Sequence, residues 1–190
     1  MFPRYFSSHV ALVLLIAAIW ACGSSNTDTA DTDKANKLVN EGNAAVDQVK
    51  KFFEDADGKK DQMMHMDRRR VAEARVRAAE AIAAYDKAAE KCKEAASKYD
   101  EASRLQVNDK FKQYLIVKTK EFNKRGELME AAKGTPQALI ESTNWSSFAI
   151  RANSNQAKIE QLMKEANDLA AQADKIQKDN PDVFKKGSST

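Results

Sequence analysis

The sequence predicts an all-α protein: an elongated antiparallel bundle of four or five long helices, coiled-coil-like, with alanine-rich seams. Three observations carry this. Apolar residues recur at heptad spacing through most of the chain beyond residue 32. Only 6 glycines and 3 prolines occur among 190 residues, too few for the turns of an all-β protein. Ala, Lys, Glu, Asp and Gln dominate from residue 30 onward, a composition that favours long helices. The length suits one domain. With 31% charged residues and a mean hydropathy of −0.63, the bulk of the chain suits water. The formal charge of +3 reads as spread along the chain with both signs mixed, which argues against nucleic acid as a partner.

A first helix is expected over 32–57. Asp31 or Thr32 can cap it. Ala35, Gly42, Val49 and Ala56 repeat every seven residues, with Leu38, Ala45, Phe52 and Val39, Val46, Phe53 beside them. That three-in-seven stripe is the width of a helix packed in a bundle. Gly58 is placed to end the helix.

The second helix is expected over 62–105. Met64, Val71, Ala78, Tyr85, Cys92 and Tyr99 share one heptad position, and Ala74, Ala81, Ala88, Ala95 and Ala102 the other. An alanine seam lets a neighbour approach closely but buries little apolar area per residue. Tyr85 and Tyr99 interrupt its uniformity and can set the register.

A third helix fits 109–133, capped by Asn108 and carrying Phe111, Tyr114, Leu115, Phe122, Leu128, Met129 and Ala132. The string "KGTP" is expected to stop it, with Gly134 left-handed past the end, Thr135 as the next cap and Pro136 opening a new helix. The last segment runs 136–179 on a stripe of Ala138, Trp145, Ala152, Ile159, Ala166 and Ala173, with Phe148, Asn155, Leu162, Leu169 and Ile176 beside it. Asn180-Pro181 ends it, and 181–190 is read as a C-terminal tail. At ~1.5 Å per residue the four segments measure about 39, 66, 38 and 66 Å. The third then returns only partway along the second, and an unbroken fourth overshoots. The polar "NSN" at 153–155 is where it can bend back.

The N-terminus has a different character. Arg4 precedes the uncharged apolar run "VALVLLIAAIWA" at 10–21, and Cys22 is followed by "GSSNTDTAD". A short basic region, about a dozen apolar residues and a small residue at the cut form a signal-peptide layout. The run is below the ~20 residues a spanning helix needs. Ile19-Trp20-Ala21-Cys22 resembles the lipobox of bacterial lipoproteins, with Trp20 bulkier than is usual at its position. That resemblance implies diacylglyceryl transfer to the Cys22 sulfur, cleavage before Cys22 and acylation of the new amine. Two or three acyl chains anchor stably. The expected organisation is a signal peptide at 1–21, a lipidated cysteine and flexible tether at 22–31, and a helical domain at 32–180.

Cys92 is the only other cysteine, so a disulfide framework is not expected. Gly23 after the lipid cysteine is similar to lipoproteins that enteric-type bacteria send to the outer membrane. The trimeric lipoprotein that staples the outer membrane to the wall uses a terminal lysine. Here Lys185 and Lys186 precede Ser188-Ser189-Thr190, so that attachment does not carry over.

Candidate chemistry is sparse. Phosphate-cradling glycine motifs are missing, and beyond the signal segment His65 is the one histidine. No catalytic residues and no cofactor are therefore assigned. Met63, Met64, His65 and Met66 offer thioethers and an imidazole suited to Cu(I), which makes a copper-binding module one alternative function. "DRRR" at 67–70 suits lipid headgroups, an acidic partner or a solvated helix face. Cys92 falls on the apolar seam, where a thiol behaves as a small hydrophobe. Glu141 and Asn155 are polar residues on the last stripe, fit to specify register or to hold a ligand. A cavity lined by Tyr85, Tyr99 and Trp145 would make the bundle a carrier of an apolar ligand. The leading expectation is a lipid-anchored, non-enzymatic scaffold or adaptor of the bacterial cell envelope, facing the periplasm from the outer membrane where two membranes exist. Its partner is another envelope component, and the membrane is reached through lipid on Cys22.

Overall fold

The computed structural model describes residues 29–184. Cys22, the lipobox and the first residues of the tether lie outside them. Among the described residues the chain forms seven helices and no strand: α1 (Thr29–His65), α2 (Val71–Ser103), α3 (Asp109–Ala132), α4 (Gly134–Glu141), α5 (Trp145–Ser154), α6 (Gln156–Asp179) and α7 (Pro181–Phe184).

α1 and α2 form an antiparallel hairpin along their whole lengths. Tyr99 Oη donates to Asn43 Oδ1 at 2.7 Å, Lys98 pairs with Glu41 at 2.8 Å, and the rings of Tyr85 and Phe53 lie 6.3 Å apart. The alanine seam is confirmed: Ala74, Ala81, Ala88, Ala95 and Ala102 are fully buried, as are Ala78 and Cys92. Gly42 makes room for the one bulky intruder at its level. A Cβ there would stand 3.0 Å from Tyr99 Cε1.

α1 begins at Thr29, inside the expected tether, so Asp31 and Thr32 lie in its first turn rather than capping it. Two further boundaries differ from expectation for one reason. Gly58 does not end α1, which continues to His65, and α2 starts at Val71 rather than 62. A glycine in an exposed helix costs only about 1 kcal/mol. The turn is made where the chain supplies hydrogen bonds for it. Asp67 Oδ1 accepts the Arg69 N–H at 2.8 Å, and the Asp67 carbonyl accepts the Arg70 N–H at 2.8 Å. Met64 therefore leaves the α2 seam and belongs to the end of α1, 45% exposed.

The length mismatch is resolved by α4. Asn108 caps α3 as expected, its side chain accepting from Lys110 N–H at 2.9 Å. Pro136 cannot donate to the Ala132 carbonyl, so α3 stops at Ala132. Proline is tolerated in a first turn, so a helix resumes at once. Gly134 lies inside α4, and Lys133 rather than Thr135 is the preceding cap. α4 keeps packing on α2, so α3 and α4 together retrace it. Lys133 reaches Asp86 at 2.6 Å, and Arg75 Nη2 donates to the Ser142 carbonyl at 2.8 Å.

The chain turns at Ser142–Asn144, a break that the stripe conceals. Asn144 caps α5 through a reciprocal capping box with Ser147. α5 returns on α4, breaks at Asn155 within the expected "NSN", and α6 returns on α3. The segment over 136–179, expected as one helix or as two divided at 153–155, is thus three helices, with the additional break at 142–144. The expected tail is also partly structured. Phe184 is buried, its ring centroid 6.0 Å from that of Phe111 and 5.2 Å from that of Tyr114.

Candidate functional site

The core divides in two. The larger cluster follows the α1–α2–α3 seam and holds Tyr85, Tyr99, Phe111, Phe122 and Leu115. A smaller one sits under the α1–α2 turn and the α4–α5 hairpin: Met63, Ala74, Ala78, Ala138, Leu139 and Phe148, with Met66 and Trp145 against it. This second cluster builds the end of the bundle where the sequence-predicted candidates converge. Thr29 begins at the opposite end, where Asp31 Oδ2 accepts the Gln106 N–H at 2.8 Å. At ~1.5 Å per residue, α1 separates the two ends by about 55 Å.

The methionines do not form one ligand set. Met63 is fully buried in the small core and Met66 packs on it, whereas Met64 and His65 face outward. His65 Nδ1 lies 2.8 Å from the Asp61 carbonyl oxygen of its own helix. Among the described residues, no three of His, Cys, Asp and Glu are grouped to hold a metal ion.

The aromatic groove is also divided, because Trp145 belongs to the small core while Tyr85 and Tyr99 fill the large one. Cys92 is fully buried, and burial pushes its thiol up to about 12, so at neutral pH it is a protonated packing group. Glu141 pairs with Arg151 across the α4–α5 hairpin at 2.8 Å. The Asn155 side chain lies so close over Gly134 that a Cβ there would sit 2.0 Å from its Nδ2. The two polar stripe residues therefore set the hairpin's geometry. Between them an open cleft of about 200 Å³ is bordered by Gly134, Gln137, Glu141 and Arg151.

"DRRR" sits at the apex of this end. The Trp145 indole N–H donates to the Arg68 carbonyl at 3.4 Å, and the Arg68 guanidinium stands 6.0 Å from the Trp145 ring centre. Arg70 pairs with Glu73, Arg77 with Glu80, and Arg75 holds the Ser142 carbonyl. Positive charge is not spread evenly, as composition implied. Six arginines (68, 69, 70, 75, 77 and 151) stand with four acids (Asp67, Glu73, Glu80 and Glu141) over 64–80 and 140–151. This end alone carries two of the chain's three excess positive charges. The signal was present in the arginine positions, but a net charge averages it away.

Sequence reasoning missed one further group. Glu121 is 2% exposed on α3, bound by Arg125 Nε at 2.8 Å and Lys118 Nζ at 2.7 Å. Arg125 is itself buried, and Lys118 also stands 4.8 Å over the Phe122 ring. The i,i+4 spacing of Glu121 and Arg125 reads as an ordinary surface pair; only the packing of α3 between α2 and α6 places it inside.

No helix among the described residues is long and apolar enough to cross a membrane. No protein-family model matches the chain, and neither a curated protein nor a solved structure matches it.

Proposed function

We propose that this chain is a lipid-anchored, non-enzymatic helical-bundle lipoprotein of the bacterial cell envelope, acting as a scaffold or adaptor for another envelope component. The observation that carries the proposal is Ile19-Trp20-Ala21-Cys22 at the end of an uncharged apolar run, followed directly by small polar residues. Two features agree with it. The other cysteine, Cys92, is a free thiol fully buried in the seam. The bundle begins at Thr29, seven residues past Cys22, so an acylated Cys22 would hold the bundle by one end close to a bilayer. A long bundle with charged flanks suits contact along its length.

Feeding cells labelled palmitate tests the anchor. The wild-type chain takes up label and Cys22→Ala does not; equal labelling of both, or of neither, removes the anchor. In-cell crosslinking followed by identification of the joined species tests the adaptor role. Recovery of one reproducible envelope component supports it, and recovery of the free bundle alone counts against it.

A further inference from the structure

We infer that the arginine-rich end of the bundle is a docking surface for anionic phospholipid bilayers, with the guanidinium groups taking headgroup phosphates. Such docking adds to the proposed anchoring through Cys22, seven residues ahead of the start of α1 at the opposite end, and does not depend on it.

The choice of cation is the first indication. None of the chain's 22 lysines falls between residues 61 and 86 or between 134 and 157, while six of its arginines do. A merely solvated face is served equally well by lysine. Arginine offers a planar fork that grips phosphate oxygens two at a time. Four of the six are engaged within the protein, three in exposed ion pairs and Arg75 on a carbonyl. Arg68 and Arg69, exposed at the apex, have no carboxylate within ion-pair distance among the described residues. Exposed pairs such as Arg70–Glu73 hold weakly and can exchange for a phosphate.

The second indication is apolar. Ile150 is 71% exposed, Val76 57%, Met64 45% and Ile140 40%, all on elements of this end. Trp145, half-buried with its N–H on the Arg68 carbonyl, belongs to the same end. Cations beside protruding aliphatic groups and an indole are what an interfacial surface needs: charges at the headgroups, side chains in the acyl boundary.

The shape favours a bilayer over a protein. The end is formed by two turns carried on helices about 10 Å across, so it presents several hundred Å², below the roughly 800 Å² per partner of a stable protein interface. A bilayer imposes no such minimum, because headgroup contacts accumulate at about fivefold in affinity per arginine.

The full chain, purified from membranes, is placed in neutral phosphatidylcholine vesicles, and flotation reports whether it stays with them. A second vesicle population is then offered, either pure phosphatidylcholine or an equimolar mixture with phosphatidylglycerol. Should the chain not be retained, the anchor has failed, and the same protein is cosedimented directly with the second population. The wild type captures anionic vesicles and not neutral ones, and added salt weakens capture. Arg68→Gln/Arg69→Gln raises the lipid concentration for half-capture about thirtyfold. Ile150→Ser weakens capture without changing its salt dependence. Lys175→Gln/Lys178→Gln, the same charge loss on exposed α6, leaves capture unchanged. Matched helix ellipticity confirms folding of each variant. Equal capture of neutral and anionic vesicles, an equal loss in the lysine variant, or failure to capture anionic vesicles while soluble polyglutamate binds the arginine end would each overturn the proposal.

Discussion

Alanine at Gly42 and alanine at Gly58 change the same residue type in the same helix and are expected to move stability in opposite directions. Both glycines lie inside α1, so each substitution gains about 1 kcal/mol from reduced backbone freedom in the unfolded chain. At Gly58 nothing stands within 4 Å of the new Cβ, and the gain is kept. At Gly42 the new Cβ would meet Tyr99 Cε1 at 3.0 Å and Cζ at 3.2 Å. Tyr99 cannot easily give way. Its hydroxyl is held by Asn43 at 2.7 Å, its ring lies 5.7 Å from that of Phe122, and it is 1% exposed. Overpacking of this kind costs about 2 kcal/mol, so Gly42→Ala nets about 1 kcal/mol of destabilisation. The two variants then differ by about 2 kcal/mol. With a urea dependence of about 2 kcal/mol per molar, their midpoints separate by about 1 M. Urea unfolding followed by helix ellipticity reads this directly. If Gly42→Ala stabilises as much as Gly58→Ala, the register that sets Tyr99 over Gly42 is wrong, and with it the α1–α2 hairpin.

Other outcomes follow from the same packing. Replacing Glu121 by Leu leaves Arg125 buried without its carboxylate and is expected to cost about 3 kcal/mol; Glu121→Leu/Arg125→Met recovers most of this, measured by the same urea titration. Burial holds the Cys92 thiol at about 12 and raises Tyr85, Tyr99 and Tyr114 above the ordinary phenol range. Their folded values exceed their unfolded ones, so this contribution is complete below the unfolded thiol value of about 8.5 and is lost as pH rises from there through the folded values. Phenolate absorbance from these three tyrosines should therefore appear together with loss of helix, and ordinary titration near pH 10 in a still-helical protein would contradict it. A thiol reagent at neutral pH should find no reactive cysteine in the native membrane-extracted protein and one after denaturation, because the proposed acylation blocks Cys22 and Cys92 is enclosed. One native and two denatured thiols would place Cys22 unmodified.

Much of the fold was legible because its signal is periodic. The stripes around Ala35–Ala56 and Ala74–Ala102 coincide with what is buried, since a heptad and a bundle seam are the same geometric fact. Ends were harder. Gly58 carries the residue type of a stop, yet one glycine costs too little to end a helix whose apolar face continues to Met63. The stripe from Ala138 to Ala173 hid the break at 142–144, because residues on either side of a turn can face the same core. Asn144 is a strong cap in hindsight, but only tertiary contact makes it operate: Trp145 must pack on the small core and Arg75 must hold Ser142. At the candidate site, Met63 and Met66 belong to a core that thioethers fill while Met64 faces outward, and the arginines were read singly when their segregation was the informative quantity. Glu121 was invisible because burial of a charged residue depends on helices distant in sequence.

The anchored-bundle account is tested most directly by the intact mass of the protein extracted from membranes of the cells that make it. The account predicts a chain beginning at Cys22 that carries two or three acyl chains, while Cys22→Ala remains uncut. A wild-type mass matching the uncut 190 residues, a start at any other residue, or an unmodified Cys22 would contradict it.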